Sequence, residues 1–330
     1  MDTLPAPIYY FIVAFVVLNA VIGMVTYVTL LERKFAARMQ SRIGPYRVGP
    51  HGLLQPIADA VKLMMKEDVV PTLADRPVYN LAPIVFLVPC MLIFATMPFA
   101  PGLGVADLNI GILFFLAVSA MEIVGLFMAG WGSNNKYALL SAMRAVNQII
   151  SYDLPFIFAA LVPVVLAGSL RLSDIAQAQA GFFGAFIFYP VIGQLAFIAY
   201  IVTTLAAENR VPFDILEAES ELVAGFRVEY SGMKFALIQL GEYAHAIGTS
   251  FLGALLFLGA WSGPGPAWLG PLWFLLKAMA VFLLITWVRW SFVRIRVDQI
   301  LAISWKLMLP ASLLLLMATA TWVAWSAGGA

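Results

Sequence analysis

An all-α, polytopic membrane protein is the fold class the sequence predicts, and three observations predict it. The 330 residues are 62% hydrophobic and 11% charged, with a mean hydropathy of +0.93. Apolar runs of 18 residues or more recur, and each can cross a hydrocarbon core about 30 Å thick. The charge is also one-sided. If the runs alternate direction, 17 of the 19 Lys and Arg residues fall in or beside the loops of one face, and a basic face is the cytoplasmic one.

The order of elements follows from these runs. About eight spans are expected, at 8–31, 81–100, 109–131, 148–168, 184–206, 234–260, 272–293 and 307–326, in one integral membrane domain covering 1–330. The first run lacks a basic head and is followed by Arg33 and Lys34. It therefore reads as an anchor with its N-terminus outside, not as a cleaved leader. Eight spans place both termini on the non-cytoplasmic face. Of the two remaining basic residues, Arg171 falls on that face and Lys277 within a span. No internal repeat is evident.

Two cytoplasmic loops carry the information. In the first, 32–80, the stretch LLQPIADAVKLMMKED spaces Leu53, Leu54, Ile57, Val61, Leu63, Met64 and Met65 around Asp59, Lys62 and Lys66. That pattern predicts a short amphipathic helix lying in the interface, against lipid or against its own protein. Arg33, Arg38 and Arg42 precede it. Juxtamembrane arginines set topology or bind anionic headgroups, but Gly44-Pro45, Gly49-Pro50 and Gly52 impose tight turns on the same loop. Such a specified loop points to a role beyond linking.

The second loop, 207–233, is acidic. Glu208, Asp214, Glu217, Glu219, Glu221 and Glu229 are six of the 18 acids in the chain. A cytoplasmic acid is ordinarily solvated. Here the acids interleave with Phe213, Ile215, Leu216, Leu222, Val223 and Phe226, so the segment wants burial as well as water. Glu217 and Glu221 stand four apart, a repulsive spacing in a helix. Crowded, half-buried carboxylates cannot all ionise, and such a set can hold and share protons.

The spans carry acids too: Glu122, Asp153 and Glu242. Each costs about 2.5–3.5 kcal/mol at the centre of an isolated span. Such residues face the bundle interior or water and mark ion or substrate routes, or pair with a base such as Arg144 or Lys136 for packing. His245, three residues past Glu242, reads first as a hydrogen-bonded packing residue and second as a proton relay.

Composition excludes some chemistry. One cysteine, Cys90, and two histidines, His51 and His245, supply no disulfide framework, iron–sulfur ligand set or di-haem pair. There is no Gly-rich nucleotide loop, no metal motif and no basis for a nucleic-acid partner. No catalytic residue is assigned, and without these ligand sets any redox cofactor would have to belong to another chain.

The stretches ERKFAARMQSRIGPYRVGPHGLLQPIADAVKLMMKED, NKYALLSAMRAVNQIISYDLP, ENRVPFDILEAESELVAGFRVEYSGMKFALIQLGEYA and RVDQILAISWKLMLP resemble the H-subunit family of bacterial NADH–quinone oxidoreductase, respiratory complex I. The mitochondrial counterpart is NADH dehydrogenase subunit 1. The resemblance runs from about residue 8 to 326. It implies a chain without a redox centre, in the bacterial inner membrane, that forms the floor and entrance of a quinone chamber. Quinone is then the substrate, ubiquinone being one form, while FMN and iron–sulfur clusters reside in partner subunits. Implied partners are those peripheral subunits, small membrane subunits, antiporter-like subunits and membrane lipids.

Carried over by motif, the implied quinone-entrance positions are Glu32, Arg33, Arg42, Asp59 and Ala60, joined by Phe226 and Arg227. The implied proton-coupling positions are Arg210, Asp214, Glu217, Glu219, Glu221, Glu229 and Tyr230, then Glu242, Asp153, Arg144 and Glu122. Two departures stand out. The family's LAETNRxPFD reads LAAENRVPFD here, so Glu208 lies one position later, about 100° around a helix, and no family role is carried to it. The family's ISYE reads ISYD, which shortens the Asp153 side chain by one methylene. Two other readings fit parts of the sequence. One is a membrane anchor of a hydrogenase-type complex. The other is a proton-coupled transporter, against which the missing inverted repeat speaks.

Overall fold

The computed structural model describes residues 6–181, 184–216 and 223–328. Twelve α-helices follow in order among them: α1 Ala6–Met39, α2 Gln55–Met65, α3 Arg76–Leu92, α4 Gly111–Ala120, α5 Glu122–Gly132, α6 Lys136–Ala167, α7 Leu172–Ala178, α8 Ile192–Ala207, α9 Gly232–Phe257, α10 Gly270–Ser291, α11 Val297–Ile303 and α12 Leu309–Gly328. The described residues form no strand, only an isolated bridge between Ala100 and Leu103. This is the all-α, polytopic architecture the composition predicts.

Six helical stretches are long and apolar enough to cross a membrane. They are Tyr10–Met39, Arg76–Thr96, Gly111–Gly132, Lys136–Ala167, Gly270–Ser291 and Val297–Ser326. The third joins α4 to α5. The sixth joins α11 to α12 through a π-helical stretch, Ser304–Met308. The other two expected spans fall on helices outside this set of six. α8 is shorter, at 16 residues. α9 has 26 residues, about 39 Å at 1.5 Å per residue. Its sequence is diluted by Glu242, His245, Thr249 and Ser250, and of these His245, Thr249 and Ser250 are fully buried among other helices.

Packing follows the small residues. α9 lies against α3, α10 and α1. Gly241 faces Phe86 and Gly248 faces Ile93 so closely that a Cβ at either would meet the opposing side chain. Small faces of this kind let membrane helices approach. α6 packs on α5, α8 and α12, with Ala138, Ala142, Ala145, Ala159 and Ala160 buried. The first and last spans lie at the periphery, with 17% of each apolar window buried.

α2 is the amphipathic helix expected within the loop 32–80. Ile57, Val61, Met64 and Met65 remain exposed along it, and it touches both α1 and α9. On the opposite face, Arg171 donates to Asp107 at 2.5 Å, and Ser173 donates to the same carboxylate. The Arg171 hydrogen bond, then the Arg171 charge and Ser173 acting against burial, hold the Asp107 carboxyl below its ordinary range. The lone arginine of that face is thus offset by an acid.

The outer end of α9 is held by two side chains. Lys277 of α10 donates from Nζ to the carbonyls of Leu258 at 2.6 Å and Ser262 at 2.5 Å. Gln179 donates to Leu255 O at 2.9 Å. These groups take up carbonyls that a helix terminus otherwise leaves without partners.

Candidate functional site

The half of the bundle nearer the acidic loop encloses a polar cavity of about 130 Å³. Its acids come from three directions: Glu122 from the start of α5, Glu208 just past α8, and Glu242 from α9. Its bases are Arg210, Arg227 and Arg289, and His245 joins them one turn beyond Glu242. The cavity is polar and large enough for a few water molecules.

Each charge has a specific neighbour. Glu32, near the end of α1, is buried, with 3% exposure. It accepts from Arg289 Nη1 at 2.6 Å and stands 3.8 Å from Arg210 Nη1. Arg210 Nε lies 3.1 Å from Glu208 Oε2, and its guanidinium faces the rings of Tyr243 and Phe282. Glu208 Oε1 accepts from Thr249 Oγ1 at 2.5 Å. Arg227 Nη1 donates to Glu242 Oε2 at 2.9 Å. Glu122 Oε2 accepts from Cys90 Sγ at 3.3 Å and meets His245 Nδ1 at 3.1 Å.

Four carboxylates thus face three guanidinium groups and one imidazole. Arg210 Nη1, Glu32 Oε2 and Glu208 Oε2 are buried without a hydrogen-bond partner among the described residues. The 3.8 Å contact is too long for a hydrogen bond, and the 3.1 Å pair has the distance without the alignment. Such a set holds charge under tension, since an imperfectly paired buried ion costs several kcal/mol. Adding or removing one proton changes which pairs are favourable.

The acidic loop is anchored around this cavity. Gln148 of α6 donates from Nε2 to Ala206 O and Phe213 O, both at 2.8 Å, and Ser141 donates to Leu216 O at 3.0 Å. Ile295 N donates to Pro212 O at 3.0 Å. At Gly225, φ is +64°, and a Cβ there would collide with the Leu216 carbonyl. Glycine adopts this left-handed conformation without steric cost. At the far end, Tyr79 donates to Glu229 O at 2.7 Å and Tyr230 to Tyr79 O at 3.1 Å, with the rings stacked 4.3 Å apart. Burial, then the neighbouring Tyr79, pushes the Tyr230 phenol above its ordinary range, so it stays a protonated donor.

A family model described as NADH dehydrogenase matches residues 12–320. The chain belongs to the NADH dehydrogenase family. A relative from Dehalococcoides mccartyi, named as the H subunit of NADH-quinone oxidoreductase, is 50% identical over 88% of this chain and 80% of its own length. A Geobacillus kaustophilus protein of the same name is 46% identical over 93% of this chain and 92% of its own. One from Polaromonas naphthalenivorans, also so named, is 43% identical over 93% and 89%.

In this NADH dehydrogenase family member, the sequence-derived positions separate into groups. Arg210, Phe226, Arg227, Glu242 and Glu122 line the cavity together, and Glu32 adjoins it through Arg289. Glu32 and the Phe226–Arg227 pair, grouped with the entrance by motif, thus lie at the inner cluster. Arg33 and Asp59 form a separate outer pair, Arg33 Nη1 donating at 2.6 Å, with Gln55 donating to the same carboxylate at 3.1 Å. Ala60 is exposed beside it, and Arg42 donates to Gln40 at 2.7 Å.

The remaining positions stand apart. Asp214 accepts from Arg294 at 2.9 Å. Glu229 accepts from Asn135 Nδ2 at 2.6 Å in a separate groove. Asp153 and Arg144 sit half-buried on α6. Glu217, Glu219 and Glu221 lie outside the described residues. Among the described residues, no group of three or more His, Cys, Asp or Glu is arranged to hold a metal ion.

Glu208, His245 and Arg289 are the acidic and basic cavity residues that motif transfer did not assign. A continuing helix would have carried Glu208 a helical step around, but α8 ends at Ala207. Glu208 has φ −78° and ψ 2°, and Asn209 takes φ +51°. The chain turns there, and the carboxylate comes to face Thr249.

Proposed function

We propose that this chain is the membrane subunit that joins quinone reduction to proton movement in a bacterial NADH–quinone oxidoreductase complex. One observation carries the reading: the buried polar cavity of Glu122, Glu208, Glu242 and His245, ringed by Arg210, Arg227 and Arg289. The names of the relatives support the complex in which it works. In this reading FMN and iron–sulfur clusters sit in partner subunits, and electrons reach quinone above this chain. Quinone enters from the bilayer where α1, α2 and α9 meet, past Arg33 and Asp59. Antiporter-like and small membrane subunits flank it, and both termini face the periplasm.

The chain's own part is electrostatic. Negative charge or proton demand near the acidic loop weakens or strengthens the Arg210 and Arg227 pairs. The carboxylates then take up or release protons as a set, because strongly interacting sites titrate jointly. Arg227 holds Glu242 ionised in one arrangement and frees it in the other.

Glu242→Gln in the assembled complex tests this. NADH-driven proton translocation in membrane vesicles should fall by at least about tenfold, the scale of losing one positioned acid–base group. Normal quinone reduction together with normal proton stoichiometry would remove the reading. For the entrance, Arg33→Ala should raise KM for a long-tailed quinone while the subunit composition of the purified complex holds. Lost assembly alone would make Arg33 structural.

A further inference from the structure

His245 occupies a position that the coupling scheme above leaves without a task. It is buried, with 6% exposure, and lines the cavity. Its Nδ1 meets Glu122 Oε2 at 3.1 Å. The same oxygen accepts from Cys90 Sγ at 3.3 Å. Cys90 is itself buried on α3. Glu122 is thereby held from two sides, by a thiol donor and by a ring that can exchange a proton.

The charged groups around this ring come from every packed element. α5 contributes Glu122, and α6 contributes Asp153, close enough for its charge to act on the imidazole. The turn after α8 contributes Glu208 and Arg210, with Thr249 of α9, one turn past His245, donating to Glu208. Glu242 and Tyr243 lie on the ring's own helix, Arg289 on α10 and Arg227 on the turn before α9. Acids dominate the immediate neighbours, and the arginines stand behind Glu208 and Glu242.

We propose that His245 carries protons between the cavity and Glu122, so that Cys90, Glu122 and His245 form the inner end of the path. The inference rests on the proton-coupling reading of the cavity. In the step, the ring nitrogen not engaged by Glu122 takes a proton from a hydronium ion in the cavity, which is left as neutral water. Nδ1 gives its proton to Glu122 Oε2. One N–H bond forms and one breaks, the carboxylate becomes a carboxylic acid, and no electron moves. A ring flip then turns the new N–H towards Glu122 and the bare nitrogen towards the cavity, which restores the starting hydrogen-bond pattern. Imidazole suits this because it accepts at one nitrogen while donating at the other, near neutral pH.

The test compares His245→Gln, Glu122→Gln and Glu242→Gln in the assembled complex within inverted membrane vesicles. Glutamine retains an N–H donor towards Glu122 but does not take up a proton. Proton translocation per NADH oxidised should fall at least about tenfold in His245→Gln. Its dependence on pH between about 5 and 8 should flatten relative to wild type. If His245→Gln keeps both rate and pH profile while a glutamate variant loses coupling, the His245 assignment fails and the cavity reading stands. If all three stay coupled, both fail.

If His245→Gln does not assemble, His245→Asn is the second variant. Should that also fail, the wild-type complex with ring-labelled histidine decides. Imidazole bands in its infrared difference spectrum on NADH addition support the carrier, and their absence overturns it.

Discussion

At the level of single residues, the site is made from ion pairs that differ in burial, and they respond differently to perturbation. Arg210 stands against two buried carboxylates, so Arg210→Ala leaves Glu208 without its guanidinium partner and Glu32 with Arg289 alone. Removing one partner of such a set costs about 3–5 kcal/mol. The expected outcome is complex that is lost, or inactivated at markedly lower temperature, read from residual quinone reductase activity after heating. Asp59 is the contrasting case. Burial raises its proton affinity, but hydrogen bonds from Arg33 and Gln55, and then the charges of Arg33 and Lys62, outweigh it and hold the carboxyl below its ordinary 3.8. The stabilisation is therefore fully present above that value and is lost as pH falls through the depressed one. Hydrogen exchange in 55–65 should rise on acidification below about pH 4, the ordinary aspartate range, and Asp59→Asn should abolish that dependence. At neutral pH the same substitution should cost no more than about 1 kcal/mol, because Arg33 is half exposed. Acids and arginines were legible as types at this scale, but their partners were not. Arg289 counted only as a topological charge, and nothing in its surroundings tells a reader that it reaches Glu32, 257 positions away. His245 was legible as a histidine beside an acid, while the contact with Glu122 required knowing how α5 meets α9.

Among the elements, hydrophobic runs located the helices better than they located the ends. α1 was expected over 8–31 and continues to Met39, because Glu32, Arg33 and Arg38 are good helix formers that hydropathy alone discounts. α6 begins at Lys136, well before the expected 148, since Asn135 caps it by accepting from Tyr137 N at 2.9 Å. The amphipathic helix emerged where its spacing placed it. What the sequence could not display is how the acidic loop is tethered, since Gln148 and Ser141 look like ordinary polar residues of a span. Gln148→Leu should therefore loosen the loop without altering the helices. Two carbonyls would each keep one backbone donor, Asn209 N and Ile215 N, and lose the other, at about 0.5–1.5 kcal/mol each, the net worth of a typical hydrogen bond. Faster hydrogen exchange at 207–216 with unchanged helical circular dichroism is expected, and unchanged exchange would refute the tether. The glycines of α9 make a second statement about packing. Gly248→Leu must push α3 away at Ile93, and overpacking of this kind costs about 1–3 kcal/mol, visible as reduced thermal stability of the purified complex.

For the whole molecule, the distribution of Lys and Arg makes a prediction about sidedness. The sole cysteine is buried, so it gives little background to an impermeant maleimide. Gln40→Cys, beyond α1, and Ser326→Cys, near the end of α12, are both exposed positions. They should label from opposite faces of the membrane, Gln40→Cys only in inverted vesicles; labelling from the same face would overturn the eight-span arrangement. The class of the fold was readable from bulk composition because lipid demands long apolar helices of any chain that spans it. The cavity was not, because it depends on tertiary meetings of helices distant in sequence. α9 itself is fastened unevenly. Lys277 and Gln179 grip its C-terminal end through backbone oxygens, while its opposite half is surrounded by charges that can change. A rod clamped at one extremity and loaded at the other behaves as a lever. Displacement reaching α9 then grows from the pivot that the Lys277 amine and the Gln179 amide maintain, through His245 and Glu242, towards Gly232.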